Sequence, residues 1–300
     1  MGYLTYRIRM GQYLIKELEK LSGIKAHTIR IWEKRYGIVE PQRSQTNIRY
    51  YSDDDLKKII NVSLLNNNGL KISKIALLSS GEIANKVAEL SQSVGRLDVH
   101  IDRLIVAMVD IDEPQFHKVM QEMTAKYGFE STISEIVYPF LEKIGVLWQT
   151  GNISPAQEHF ISNLLRQKIL AAIDALPIPP RSRPGVVLFL PEGELHELGL
   201  LFYHYIARKN GFHTYYLGQT VPFKDVVSLS EKYSPAYLVT SITSSPAPNL
   251  VEGYLTQLCA AVPKAKVLTS GLVVRKTALK MPKNLHLYAN IRELKALLAR

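Results

Sequence analysis

Glu194, His196 and Gly199 combine the residue types and spacing that most clearly point to chemistry. The acid stands two residues before the imidazole, near enough in a loop to hold one ring nitrogen and leave the other for a metal. Gly199, three residues further on, lets a flat, bulky ligand approach the backbone. A second group is Trp148 with the pair Glu158-His159. Taken singly, the Trp suits a core, the Glu suits a helix N-terminus, and the His suits solvent. A third group is basic. His27, Thr28, Arg30, Lys34 and Arg35, followed by Arg43, Arg49 and Tyr50, offer contacts to base edges, phosphates and sugars.

The elements that must position these groups can be read in turn. For the basic group, Leu14, Leu18 and Leu21 give a short amphipathic helix over Tyr13–Leu21. Ser22-Gly23-Ile24 is a tight turn, and Lys25–Arg35 reads as a second helix. Two short helices joined by such a turn make a helix-turn-helix, whose second helix enters the major groove. Residues 38–51 then read as a two-stranded wing. Ser52 and Asp55 form a capping box before a helix over Asp53–Asn66, and Lys71–Leu78 reads as the next helix.

For the Trp and Glu-His group, four apolar stripes at helical spacing run through residues 101–108, 116–123, 133–147 and 160–169. Ser154-Pro155-Ala156-Gln157 is a helix start. Four helices with short loops predict a bundle, with Trp148, Glu158 and His159 together at one end. For His196, Val186–Leu190 reads as a buried parallel strand and Leu198–Lys209 as the helix after it. Further strands are predicted at His213–Leu217, Ala236–Ser241, Lys266–Ser270 and Leu285–Ala289. Helices alternate with them at Phe223–Tyr233, Asn249–Ala261, Arg275–Lys280 and Ile291–Leu298. That pattern is a doubly wound, flavodoxin-like (Rossmann-type) α/β fold, which binds ligands at the carboxyl ends of its strands.

The expected organisation is therefore multidomain. It comprises a winged helix-turn-helix at 1–80, a four-helix bundle at 81–176, a proline-rich linker at 177–184 and an α/β domain at 185–300. Charge follows the same division. Residues 1–75 carry 14 Lys and Arg against 7 Asp and Glu, residues 76–180 carry 8 against 13, and residues 181–300 carry 15 against 7. A basic head on an acidic body fits nucleic-acid binding by the head. One cysteine, Cys259, excludes a disulfide framework or thiolate metal site within the chain. The sequence has no apolar run of membrane length and no signal-peptide pattern, so the expectation is a cytoplasmic protein without a membrane partner. There is no nucleophile paired to a base and no phosphate loop, so no enzyme is expected.

Two resemblances sharpen this. The string Thr28-Ile29-Arg30-x-Trp32-Glu33-x-x-Tyr36-Gly37-Ile38, then Pro41-x-Arg43 and Asn47-x-Arg49-x-Tyr51-x-x-Asp54, resembles the MerR-type winged helix-turn-helix. The resemblance implies double-stranded DNA, an inverted-repeat operator or promoter, and a homo-oligomer, dimer or tetramer. Cysteines that serve metal sensing in that family are missing past the head, as is a long heptad run after Leu78.

Glu194-x-His196-x-x-Gly199 resembles the Asp-x-His-x-x-Gly signature of cobalamin-binding domains, with Glu194 for the Asp. In that family the histidine replaces the cofactor's own benzimidazole as lower cobalt ligand. The family's Ser-x-Leu is matched by Thr240-Ser241-Ile242, with Ser241 or Thr243 able to serve instead, and its Gly-Gly by Ser270-Gly271. Trp148 with Glu158-His159 is similar to the motif that covers the upper face in the CarH/LitR-like photoreceptor regulators. The resemblance implies cobalamin, as adenosylcobalamin or methylcobalamin, with His196 on cobalt and control of oligomeric state and DNA affinity. Gln149 stands where those photoreceptors carry a second histidine for cobalt, and an amide is the poorer ligand. Two other readings keep part of this pattern: a DNA-binding regulator whose body is a cofactor-free dimerisation module, and a corrinoid-carrying methyltransferase component.

Overall fold

The computed structural model describes residues 12–93, 97–149, 153–244, 248–276 and 282–299, without the side chains of 88, 91–93, 146–149, 248–249 and 276. The chain divides into two compact units, Met1–Ile161 and Ser162–Arg300.

The first unit opens with α1 (Ile15–Ser22) and α2 (Ala26–Tyr36), joined at Gly23. Gly23 has φ 72°, a left-handed turn position that a side chain would strain. Strands β1 (Gln42–Arg43) and β2 (Arg49–Tyr50) pair antiparallel as the wing. Then follow α3 (Asp53–Asn67) and a short α4 (Ile72–Ile75). Leu18, Leu21, Ile29, Trp32, Leu56, Ile59 and Ile60 are buried, which makes this the core of the head. The Ser52–Asp55 capping box forms as expected. Asp55 N–H donates to Ser52 Oγ at 3.1 Å and Ser52 N–H to Asp55 Oδ2 at 2.9 Å.

The next helix, α5 (Ser80–Ser93), is one the sequence reading passed over. Its start is another capping box, Ser79 with Glu82, and among its described side chains only Ile83 and Val87 are buried. The helices α6 (Leu97–Val109) and α7 (Glu113–Tyr127) follow the expected stripes. The third stripe is not one helix. It runs as α8 (Phe129–Thr132), a wider π turn at Ile133–Val137, and α9 (Tyr138–Gln149). Pro139 accounts for the break: its ring and missing N–H cannot close a regular α turn onto Glu135, and a wider turn makes room. The last stripe is α10 (Pro155–Asp174), and the boundary between units falls within it.

In the second unit all five strands are parallel: β3 (Gly185–Pro191), β4 (His213–Val221), β5 (Tyr237–Ser241), β6 (Lys266–Ser270) and β7 (Leu285–Leu287). Helices α11 (Glu197–Lys209), α12 (Phe223–Tyr233), α13 (Pro248–Ala261), α14 (Leu272–Lys276) and α15 (Ile291–Leu298) alternate with them. The strand order β4-β3-β5-β6-β7 is the flavodoxin-like one. Val187, Phe189, Leu238 and Val267 pack against Val226 of α12 and Val251, Leu255 and Leu258 of α13. α11 and α15 pack together, and α11 also lies against β3, β4 and β5. The order places the switch point between β3 and β5, the central pair, where connections leave in opposite directions. α14 starts three residues before the expected Arg275, and residues 277–280 of that expected helix lie outside the described residues. Residues of the 177–184 stretch are tied to the start of β4: Pro179 O accepts from His213 Nδ1 at 2.8 Å and Pro184 O from His213 N–H at 3.2 Å.

Candidate functional site

His196 is the residue before α11, at the carboxyl end of β3, and its side chain is half-exposed. Glu194 beneath it is buried, with 2% of its side chain accessible. One carboxylate oxygen, Oε1, accepts from His196 Nδ1 at 2.5 Å and from the backbone N–H groups of Leu195 and His196 at 3.0 and 3.1 Å. The other, Oε2, accepts the N–H groups of Thr243 and Ser244 at 2.7 and 2.8 Å. Those two residues begin the loop after β5, so one carboxylate ties together the two loops that part at the switch point. Burial pushes the Glu194 carboxyl up. The hydrogen bonds from His196, Ser244 and Thr243 outweigh it and bring the group down to about 2. An ionised carboxylate on Nδ1 fixes the ring's proton there and puts the coordinating lone pair on Nε2.

Four neighbours that the sequence did not single out steady this loop. Gln219 Nε2 donates to Leu195 O at 2.7 Å. Glu197, directly after His196, accepts from Tyr216 OH at 2.8 Å and pairs with Arg166 of α10. Glu197 is acidic and in the first turn of α11, a position visible in the sequence. Its partners come from 19 and 31 residues away, and no local pattern marks them.

The other predicted residues at the sheet edge divide between its two faces. Successive strand residues point to opposite sides. Ser241 and Ser270 face α11, with hydroxyls 3.4 Å apart, and Ser270 Oγ lies 3.2 Å from the hydroxyl of Tyr203 on α11. Thr240, opposite Thr269 in register, shares the other face with Leu238 and Val267. Both threonine hydroxyls are buried, and neither has a hydrogen-bond partner among the described residues. The structure thus brings Ser241 and Ser270 together with α11 and leaves Thr240 apart. Thr243 contributes its N–H to Glu194. Gly271 has φ 114°, and a β-carbon there would meet Ile242 O at 2.1 Å. Only glycine fits that backbone crossing.

In the first unit, Glu158 and His159 lie in the opening turn of α10, as expected. His159 Nδ1 is 2.8 Å from Glu158 Oε2, and its side chain is 73% exposed. The helix start is fixed by Ser154 and Gln157, whose amide also donates to Val109 O at 3.1 Å. Trp148 and Gln149 belong to the last turn of α9, but their side chains, and residues 150–152, lie outside the described residues.

On the head, His27, Arg30, Lys34 and Arg35 of α2 are exposed, and Thr28 is half-buried. Arg43 is exposed on the wing and donates to Asn47 Oδ1 at 2.5 Å. Arg49 is differently placed: it pairs with Glu33 of α2 at 3.3 Å, beside a bond from Tyr51 OH to the same carboxylate. Tyr50 is half-buried next to it. Ile31 on α2 and Ile48 on the wing are exposed apolar residues that the charge pattern did not reveal.

Residues 13–82 match the MerR HTH family regulatory protein model, and residues 100–172 match the B12 binding domain model. The HTH-type transcriptional repressor CarH of Myxococcus xanthus is 29% identical over 88% of this chain and 87% of its own length. The repressor CarA of the same organism is 25% identical over 87% of each. The monomethylamine corrinoid protein of Methanosarcina barkeri superposes with a TM-score of 0.51 at 16% identity, over 64% of this chain and 93% of that one, a likeness of fold. Among the described residues no helix is long and apolar enough to cross a membrane. The chain thus carries a MerR-type helix-turn-helix domain followed by a B12-binding domain, and along nearly nine-tenths of its length it is similar to two HTH-type transcriptional repressors.

Proposed function

We propose that this chain is a repressor whose assembly and grip on DNA are set by a bound cobalamin, adenosylcobalamin being the form. The observation that carries this is the Glu194 clamp. An imidazole whose Nδ1 is held by a buried, ionised carboxylate is a single oriented donor. A single donor suits a metal most of whose ligands are already supplied by its own ring. The small and hydroxyl side chains beside it, Gly199, Ser241 and Ser270, fit a groove for the rest of such a ligand.

In this reading His196 would hold the cobalt through Nε2, with Glu194 keeping the proton on Nδ1. Gly199, Ser241, Thr243, Ser270 and Gly271 border the groove for the nucleotide tail. The resemblance assigns Trp148, Glu158 and His159 to the same cofactor. When bound, adenosylcobalamin supplies a coloured centre whose upper group can be lost to light. The residues of the head act separately: His27, Thr28, Arg30, Lys34 and Arg35 face the major groove, and Arg43 and Tyr50 the backbone. The domains are 1–80, 81–176 and 185–300, with 177–184 as linker. A ligand with different affinity for two arrangements of these domains shifts the balance between them. Two linked heads bind an inverted repeat far more tightly than one, so a dimer or tetramer on double-stranded DNA is the working state, in the cytoplasm and without catalysis.

The test is an absorption spectrum of the purified chain after mixing with adenosylcobalamin in the dark and desalting, repeated after green light. Retained colour that His196→Ala loses is the expected result. A colourless wild-type protein would sink the reading.

A further inference from the structure

Gly199 and Tyr203 are four residues apart on α11 and so project from one face of the helix. A β-carbon at Gly199 would lie 3.8 Å from the Tyr203 hydroxyl. The phenol therefore leans back over the strip of helix that the glycine leaves bare. Its oxygen is 3.2 Å from Ser270 Oγ, which is 3.4 Å from Ser241 Oγ. Its ring stands edge-on to the buried Tyr288, with 5.2 Å between centroids. Tyr203 thus spans from α11 to the ends of β5 and β6, across the same two serine hydroxyls that border the proposed tail groove.

We propose that Tyr203 is a plug in this groove that decides which corrinoids the protein accepts. The inference rests on the reading of His196 as the lower cobalt ligand. If the imidazole takes the place of the tail's own base, the tail must be housed elsewhere. The nearest small and hydroxyl-bearing strip, Gly199 with Ser241 and Ser270, is the one the phenol covers. A ligand with a nucleotide tail has to turn the phenol out and break its bond to Ser270. The serine hydroxyls are then available to the nitrogen and oxygen acceptors of the tail. A corrinoid that ends before the nucleotide leaves Tyr203 in place.

The experiment compares hydroxocobalamin with hydroxocobinamide, which lacks the tail base, in absorption titrations of the full chain. Wild type, Tyr203→Phe and Tyr203→Ala are used, with thermal melts of each. Tyr203→Phe removes one neutral hydrogen bond from the closed state, so it is expected to bind hydroxocobalamin about three- to tenfold more tightly. Tyr203→Ala, which also empties the groove, should tighten it at least as much. Hydroxocobinamide should bind all three proteins alike. Equal shifts for both corrinoids, no shift in either variant, or weaker hydroxocobalamin binding would overturn the plug. Variants that melt early and lose both ligands would overturn it too, since Tyr203 would then be a structural residue. Wild type that binds neither corrinoid would instead defeat the cobalamin reading itself, and the plug with it.

Discussion

Glu194 reaches His196 with one oxygen, Oε1 at 2.5 Å from Nδ1, while its other oxygen collects the N–H groups of Thr243 and Ser244. The same carboxylate therefore orients the imidazole and closes the switch-point crevice beneath it. Glu194→Gln keeps the size and removes the charge. The amide can also present an N–H where Nδ1–H now donates. Cobalamin affinity should fall about 10- to 100-fold, the usual cost of losing the partner behind a metal-binding histidine. The check is a titration followed by absorption. Affinity within a factor of two of wild type would show that the clamp serves only the fold.

Gly271 makes a separate claim on the same edge. A methyl group there would be driven into Ile242 O, and φ 114° is a conformation that L-residues rarely adopt. Gly271→Ala should destabilise the α/β unit by about 2–4 kcal/mol, through backbone strain and overpacking together. Urea denaturation measures this directly. A loss below about 0.5 kcal/mol would mean the loop yields easily.

How much of this could be read from the chain depended on distance along it. The inner strands were legible because parallel strands buried on both faces are short, largely apolar runs, as in Val186–Leu190. The His196 loop was legible because its two partners are two residues apart. The same reading merged Thr240 with Ser241 in one groove, although the pleat sends them to opposite faces. Tyr203 was invisible as a site residue because its hydroxyl partner is 67 residues away. α5 escaped because its described side chains bury no more than Ile83 and Val87, and its one firm signal was the Ser79–Glu82 capping box. The π turn escaped because apolar periodicity records which face is buried and not how the backbone closes.

A buried histidine, His100, and a half-buried one, His204, make stability depend on pH. Burial, reinforced by Arg103, holds His100 down at about 4, against opposing attraction from Glu122. Burial, reinforced by Arg208, holds His204 at about 4 as well. Both are depressed below the ordinary 6.5, so between those values the unfolded chain binds more protons than the folded one. Stability is then fully present above about pH 6.5 and declines as pH falls towards 4. Each histidine should contribute about 1–3 kcal/mol to that decline. Denaturant melts at pH 7 and pH 5 test it, and His100→Gln should flatten the slope. A slope unchanged in both His100→Gln and His204→Gln would assign the decline to other groups.

Arg43 and Arg49 stand on the same wing but differ in what surrounds their charge. Arg43 is exposed and bonded to a neutral amide, Asn47, whereas Arg49 is held against Glu33. Against DNA, the first guanidinium remains an unneutralised cation and the second is largely spent within the head. Arg43→Ala should therefore weaken DNA binding at every sequence and lower the slope of log affinity against log salt by about 1, one phosphate contact. Arg49→Ala should leave that slope nearly unchanged. It also frees the Glu33 carboxylate to repel phosphate, so affinity falls without the loss of a counterion. Adding Glu33→Gln to Arg49→Ala should then recover part of the affinity. Fluorescence anisotropy with a labelled duplex across a series of salt concentrations separates the two cases. Equal slopes for the two single variants would show that Arg49 leaves Glu33 to grip the backbone.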